Sequence, residues 1–129
     1  MTTVLFVEDH ADTRDIVSLI LSSHGFAVKT VDNFYSAIEV LKQESSNIKL
    51  MLLDYNLPGM PMGSFLEEVR KVRPELPIVL TTASYRVEEK ARQHDINWWI
   101  PKPIDPDKLL EVVAELSNDK QSTSTSCCA

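Results

Sequence analysis

Three carboxylates follow two apolar runs of the sequence, at the point where each run ends. Val4–Val7 leads directly into Glu8 and Asp9. Leu50–Leu53 leads into Asp54, which we expect to be exposed in a cleft. If both runs are parallel strands of one sheet, their carboxyl ends lie at the edge where such folds bind ligands. Gathered carboxylates repel each other, so the pattern predicts acids that titrate abnormally or hold a cation.

Magnesium is the cation that this donor set favours. It is a hard ion that prefers oxygen ligands and commonly combines one or two carboxylates with phosphate oxygens. The histidines His10, His24 and His94 fall on separate predicted elements, which indicates surface residues and no histidine cluster for zinc. One acid after a strand is more often a helix cap or a solvated residue, so only the set of three favours a site.

Hydroxyl and ammonium groups follow the last two apolar runs. Thr81 and Thr82 come at the end of the fourth run, and Lys102 follows the fifth in "WWIPKP". Each is uninformative alone, because a threonine at a strand end usually caps a helix. Together with the three acids, they predict one sheet edge that carries negative charge, a hydroxyl and an ammonium.

Five apolar runs alternate with five amphipathic stretches and must position these groups. The runs are typical of strands: Val4–Val7, Ala27–Val31, Leu50–Leu53, Ile78–Thr81 and Asn97–Ile100. The helical stretches are Asp12–Ser23, Phe34–Glu44, Ser64 to Pro74, Val87–His94 and Asp107–Leu116. Strict alternation predicts parallel strands joined by right-handed crossovers, with helices on both faces. The fold class is therefore α/β, a single doubly wound five-stranded parallel sheet.

Local signals predict the faces and ends of particular helices. The first helix carries a broad apolar face that includes Ile16 and Leu19, and Gly25 is its stop signal. Ser64 and Glu67 have the spacing of a capping box at the start of the third helix. These signals predict where the two helices begin, end and pack.

Composition predicts one soluble domain. A chain of 129 residues that is 43% hydrophobic can bury one core but hardly two. The formal charge of −6 repels phosphate backbones and anionic lipids, so neither nucleic acid nor a membrane is an expected partner. No apolar run approaches the roughly 20 residues that span a bilayer, and no signal peptide is evident. We therefore expect a cytoplasmic protein.

The last residues form a polar tail. Cys127 and Cys128 are adjacent and follow the polar run 121–126, so they exclude a disulfide framework. We predict one domain over residues 1–118 and a disordered tail over residues 119–129, too short and polar to form an output module. Metal binding or lipidation of the two thiols is the alternative.

The chain resembles the receiver domains of two-component response regulators, of the chemotaxis-regulator type. The resemblance covers about residues 3–118 and rests on "VLFVEDH", "MLLDYNLPG", "IVLTTAS" and "IPKP". It implies the flavodoxin-like strand order 2-1-3-4-5, which alternation leaves open, and a cis Lys102–Pro103 peptide bond. It also implies a phosphoacceptor that is not a conventional enzyme. A histidine kinase or histidine phosphotransfer protein would donate the phosphoryl group, and phosphorylation would switch binding to an unknown downstream target.

The resemblance assigns roles by position. Asp54 would be the phosphoacceptor. The metal site would comprise Glu8, Asp9, Asp54 and Asn56: oxygen atoms of Asp9, Asp54 and the backbone carbonyl of Asn56 would hold Mg²⁺, and Glu8 would support its waters. Three residues would contact the phosphoryl group: Thr82, Ala83 through its backbone amide, and Lys102. Thr82 is preferred over Thr81 because the family places the hydroxyl residue directly before a small one.

Thr82 and Trp99 would form the switch, read out on the face of the fourth helix, fifth strand and fifth helix. Trp98 should face the opposite side of the strand from Trp99. At least one of the two should pack in the core, and an exposed one would mark an interaction surface. Asp95 stands at a helix end where the family usually has glycine, and aspartate tolerates the left-handed conformation required there.

Three other functions stay in competition with phosphoacceptance. A flavodoxin-like cofactor binder needs a Ser/Thr- and Gly-rich phosphate loop after the first strand, where this chain has "EDHAD". A phosphatase with an aspartate nucleophile needs a second acid two residues later, where Asn56 follows Asp54. A degenerate receiver that binds proteins without phosphorylation is the main alternative, although every expected site position is filled.

Overall fold

Five strands alternate with five helices in the computed structural model, which describes residues 2–44, 47–57, 59–83 and 86–117. The strands are β1 (Thr3–Val7), β2 (Ala27–Val31), β3 (Ile48–Asp54), β4 (Ile78–Thr82) and β5 (Trp98–Pro101). The helices are α1 (Ala11–Ser22), α2 (Phe34–Glu44), α3 (Met62–Val72), α4 (Val87–Gln93) and α5 (Pro106–Ser117). The predicted alternation is confirmed.

The strands form one parallel sheet in the order β2-β1-β3-β4-β5. This is the order 2-1-3-4-5 that the resemblance implies. Strand order reverses beside β1, so the carboxyl ends of β1 and β3 flank the position where such sheets bind ligands. The register pairs Val7 with Leu53 and Asp54 with Thr81, which aligns these strand ends at one edge.

Alternate strand residues enter two apolar clusters, one on each face of the sheet. Leu5 and Met51 face the larger cluster, formed with α2, α3 and α4. Phe6 and Leu52 face the smaller cluster, formed with α1 and α5. Helices therefore cover both faces, which explains why every residue of Leu50–Leu53 is apolar and fully buried.

One local prediction about the helices is wrong, and the predicted apolar face of another helix is only partly buried. The third helix begins at Met62, after Pro61 at its N-cap, and has no side-chain cap hydrogen bond. Met62 packs into the core, and the helix starts before Ser64. The predicted capping box of Ser64 and Glu67 therefore does not mark the first residue of the helix. In the first helix, Ile16 and Leu19 are 58% and 67% exposed. The apolar face of α1 is thus broader than the surface that the sheet covers.

The predicted helix-ending conformations are confirmed: Gly25 has φ +89° and Asp95 has φ +57°. Across the described residues, the helices lack either the length or the apolar character needed to cross a bilayer. The domain end at Asn118 and the predicted tail with Cys127 and Cys128 lie outside the described residues.

Candidate functional site

The carboxyl ends of three strands bring Glu8, Asp54 and Lys102 together. The Nζ atom of Lys102 lies 2.8 Å from Oε1 of Glu8 and 3.6 Å from Oδ1 of Asp54. The backbone N–H of Lys102 donates to the carbonyl of Thr82 at 2.9 Å, which extends the pairing of β5 with β4. The Lys102–Pro103 peptide bond is cis, as the resemblance implies.

Asp54 is buried, and the expectation that it is exposed in a cleft is wrong. Only 3% of its surface is accessible, because it is the last residue of β3 and pairs with Thr81 of β4. The backbone N–H of Tyr55 donates to the carbonyl of Thr81 at 2.8 Å, so the hydrogen bonding to β4 continues past Asp54. Glu8, which directly follows β1, is fully buried as well.

Burial and neighbouring charge shift the pKa values of both acids. Burial raises the pKa of Asp54, the charges of Glu8 and Asp9 raise it further, and Lys102 opposes this only in part. Burial also acts to raise the pKa of Glu8, but the hydrogen bond and charge of Lys102, together with hydrogen bonds from His10, outweigh burial and hold that pKa below its usual range. Of the two buried acids, Asp54 is therefore the one whose ionised form is disfavoured.

Asp9 and His10 extend the acidic end of β1. One potential ligand atom from each of Glu8, Asp9 and His10 lies within 4.8 Å of the others. The Nδ1 atom of His10 is 3.3 Å from both Oε2 of Glu8 and Oδ1 of Asp9. His10 is exposed, as predicted for a surface residue, and its position directly after the acids was the signal for this contact.

The donor chemistry of this edge fits Mg²⁺. Carboxylate oxygens of Glu8 and Asp9 lie within 4.8 Å of each other, and the charges of both acids raise the pKa of Asp54. Oxygen ligands and an excess of negative charge are what a hard divalent cation prefers. Glu8 uses Oε1 for Lys102, which leaves Oε2 on the side of His10 and Asp9.

Thr82 contacts the segment that follows Asp54. Its Oγ1 accepts a hydrogen bond of 3.1 Å from Nδ2 of Asn56. The Thr81 hydroxyl points elsewhere and donates to the carbonyl of Leu53 at 3.5 Å. Ala83 follows directly and is exposed. The sequence analysis considered only the backbone carbonyl of Asn56, so this side-chain contact was missed.

Trp98 and Trp99 point to opposite faces of the sheet, as predicted from the strand period. Trp98 packs against the smaller cluster and Trp99 against the larger one, and both are half-buried. A groove beside Trp99 is lined by residues of α4, its N-cap and β5: Arg86, Val87, Glu88, Glu89, Arg92, Trp99 and Pro101. The ring of Trp99 is therefore the one that contacts the α4 side of the molecule.

Known proteins share this sequence pattern. The response regulator receiver domain family matches residues 4–114. The chain belongs to this family. It is 30% identical over 123 residues to the putative two-component response regulator ARR21 of Arabidopsis thaliana, across 95% of this chain and 20% of that protein. It is 30% identical over 113 residues to the sensor histidine kinase RcsC of Salmonella typhi, across 86% of this chain and 12% of that protein.

Solved structures share the fold of this receiver domain. One is the co-crystal structure of the Saccharomyces cerevisiae phosphotransfer protein Ypd1 with the receiver domain of Ssk1. The match has a TM-score of 0.82 at 21% identity, across 97% of this chain and 94% of that chain. Another is TrrA of Thermotoga maritima in complex with Mg²⁺ and beryllium fluoride. That match has a TM-score of 0.76 at 27% identity, across 90% of this chain and 99% of that one.

Proposed function

We propose that this receiver domain accepts a phosphoryl group on Asp54. The observation that carries the proposal is a buried aspartate of raised pKa whose Oδ1 lies 3.6 Å from the ammonium of Lys102. A carboxylate is a competent nucleophile toward phosphorus once its negative charge is balanced. The competing cofactor binder needs a Ser/Thr- and Gly-rich phosphate loop after β1, where this chain has "EDHAD". The competing phosphatase needs a second acid two residues after Asp54, where this chain has Asn56.

The proposed reaction transfers the phosphoryl group from a phosphohistidine. An oxygen of Asp54 forms a bond to phosphorus as the P–N bond breaks, and the electron pair of that bond stays on the histidine nitrogen. The transition state is loose, so positioning and charge neutralisation do most of the catalysis. Lys102, the Thr82 hydroxyl and the Ala83 backbone amide bind the phosphoryl oxygens. Water later attacks phosphorus and releases phosphate, so the domain assists its own phosphorylation and is not a conventional enzyme.

Mg²⁺ is the proposed cofactor. Oxygen atoms of Asp9, Asp54 and the backbone carbonyl of Asn56 would hold it, and Glu8 would support its waters. When bound, it supplies positive charge to the carboxylates and to the phosphoryl oxygens, which lowers their mutual repulsion. Burial is the main cause of the raised pKa of Asp54, and the charges of Glu8 and Asp9 raise it further; this second contribution supports the assignment, because a cation would offset it. The complex of TrrA with Mg²⁺ and beryllium fluoride supports it by analogy.

The proposed phosphoryl donor is a histidine kinase or a histidine phosphotransfer protein. The Ypd1–Ssk1 complex pairs a phosphotransfer protein with a receiver domain of this fold. The matched relative RcsC is a sensor histidine kinase. Transmission to a downstream protein would use the face of α4, β5 and α5, through Thr82 and Trp99. A cytoplasmic location and the absence of nucleic-acid partners stay predictions from the sequence.

The test is mass spectrometry after incubation with acetyl phosphate and Mg²⁺. The wild-type chain should gain one phosphoryl group, and Asp54→Asn should gain none, because the acyl phosphate requires that carboxylate. Asp32→Asn is the matched control, since Asp32 also follows a strand at this edge, the outer strand β2, but is exposed. Full labelling of Asp54→Asn would contradict the proposal. An unlabelled wild type would favour the phosphorylation-independent binding module.

A further inference from the structure

Tyr55 joins the phosphoacceptor to a distant helix. It directly follows Asp54, and its backbone N–H is bonded to the Thr81 carbonyl at 2.8 Å. The next residue, Asn56, donates its backbone N–H to Oδ1 of Asp54 at 3.3 Å. A phosphoryl group on Asp54 would change the charge and the oxygen atoms that this N–H faces, and the segment that carries Tyr55 lies directly beside this change.

The ring of Tyr55 contacts α4 through two residues. The Nζ atom of Lys90 lies 4.9 Å from the ring centroid, which is within the range of a cation–π interaction. The ring of His94 lies 6.1 Å away, centroid to centroid, at an angle of 48°. Lys90 lies within α4, and His94, four residues later, is the C-cap residue of the helix. Tyr55 therefore contacts the carboxyl-terminal half of α4.

The helix α4 is short and mostly exposed, so loss of its contact with the Tyr55 ring should be measurable. Among the seven residues of α4, only Val87 and Ala91 are buried. Arg70 of α3 donates to the backbone carbonyl of His94 at 2.8 Å, which fixes the helix end but not its middle. A short, mostly polar helix of this kind belongs to the low-stability end of a structure, where small changes shift its position.

We propose that Tyr55 is a positioning residue that transmits a change at Asp54 to α4 through Lys90 and His94. This inference rests on the proposed phosphoacceptor function. The route is separate from the one through Thr82 and Trp99. It runs through the segment after β3 and ends at Lys90 and His94. Different residues of α4, Glu88, Glu89 and Arg92, line the groove beside Trp99.

The first arm of the test measures backbone amide hydrogen exchange of residues 87–93 in the unmodified full chain. Tyr55→Leu removes the ring and keeps apolar bulk, and exchange should rise about two- to fivefold, as for loss of an exposed cation–π contact. Lys90→Met should produce a similar rise, and the double variant should add little to either. Tyr55→Phe keeps the ring and should exchange like the wild type. Unchanged exchange in both single variants would overturn the contact.

The second arm repeats the measurement with beryllium fluoride and Mg²⁺, with acetyl phosphate labelling of Asp54 in parallel. The ligand-induced change in α4 should persist in Tyr55→Phe and fall to less than half in Tyr55→Leu and Lys90→Met, while labelling stays at the wild-type level. A full change in Tyr55→Leu, or an equal loss in Tyr55→Phe, would overturn the coupling alone. A wild type that neither labels nor responds would overturn the phosphoacceptor function as well.

Discussion

The side-chain amide of Asn56 donates a hydrogen bond of 3.1 Å to the hydroxyl of Thr82, although the two residues are 26 positions apart in the sequence. The bond links the segment after Asp54 to the end of β4. A hydroxyl can accept one hydrogen bond while it donates another, so Thr82 can keep Asn56 when it contacts a phosphoryl oxygen. The hydroxyl is thus held beside the acceptor segment before phosphorylation, and its inward movement on phosphorylation should be small.

Asn56→Ala should weaken binding of beryllium fluoride in the presence of Mg²⁺. Loss of one neutral hydrogen bond corresponds to roughly a two- to tenfold lower affinity, measured by calorimetric titration. The backbone carbonyl proposed as a metal ligand is retained in this variant. Asn33→Ala is the control, because Asn33 accepts a hydrogen bond from the backbone of Ser36 at the start of α2. It should lower stability but not affinity. Equal affinity of Asn56→Ala and wild type would show that Asn56 does not position Thr82.

Lys102→Ala should destabilise the domain by about 3 kcal/mol at neutral pH. It leaves Glu8 fully buried without its cation, and the loss lies at the lower end for a broken buried pair because Lys102 is partly exposed. The pKa of Glu8 is lowered in the folded state, so its stabilising contribution is present at neutral pH and is lost as pH falls through that lowered pKa. The deficit of the variant should therefore shrink in acid.

Urea unfolding at several pH values measures this deficit. Lys108→Ala, an exposed lysine of α5, should cost less than about 0.5 kcal/mol. Adding Glu8→Gln to Lys102→Ala should recover part of the stability, because it removes the unpaired charge. A deficit that grows as pH falls would contradict the assigned role of the pair.

Asp54→Asn should be more stable than wild type at neutral pH in the absence of Mg²⁺. The raised pKa of Asp54 means that its ionisation lowers the free energy of unfolding as pH rises from the ordinary aspartate range to the raised pKa. The neutral amide avoids this loss, and we expect a gain of about 1–2 kcal/mol in urea unfolding. The gain should vanish below the ordinary aspartate range, where Asp54 is protonated in both states. A less stable variant at neutral pH would argue against excess negative charge at the site.

The sequence predicts the elements and the location of the site because local patterns determine both. Apolar runs buried on both sides predict parallel strands, and the acids that end two of them predict which edge carries charge. Strand order is different. Alternation is compatible with several orders, so the order 2-1-3-4-5 came only from the family resemblance.

The missed features depend on contacts between distant parts of the chain. The hydrogen bonding of β3 to β4 continues past Asp54, which buries a residue expected at the start of a loop. Packing of Met62 starts α3 ahead of its capping-box signal. The contact of Tyr55 with Lys90 joins residues of separate elements. No local pattern in the sequence contains this information, because each feature arises only when the helices and strands pack.

The two tryptophans should report phosphorylation differently. Trp99 packs toward α4 and Trp98 packs toward α1 and α5, so a change at Thr82 should alter the fluorescence of Trp99 and leave that of Trp98 nearly constant. An indole is larger than the phenol ring common at this position in the family, and its N–H needs a partner when buried. Rotation of Trp99 is therefore restricted, and we expect a small change in emission.

The measurement is tryptophan emission before and after beryllium fluoride and Mg²⁺ are added. Trp98→Phe should keep the change in emission, and Trp99→Phe should lose it. Of the two tryptophans, Trp99 is the one that packs on the α4 side of the sheet. Thr82→Ala should lose the change while both rings remain, because it removes the hydroxyl that contacts the phosphoryl group. If the change survives in both Trp99→Phe and Thr82→Ala, phosphorylation is transmitted through another surface, and the contact of Tyr55 with α4 becomes the first alternative to test.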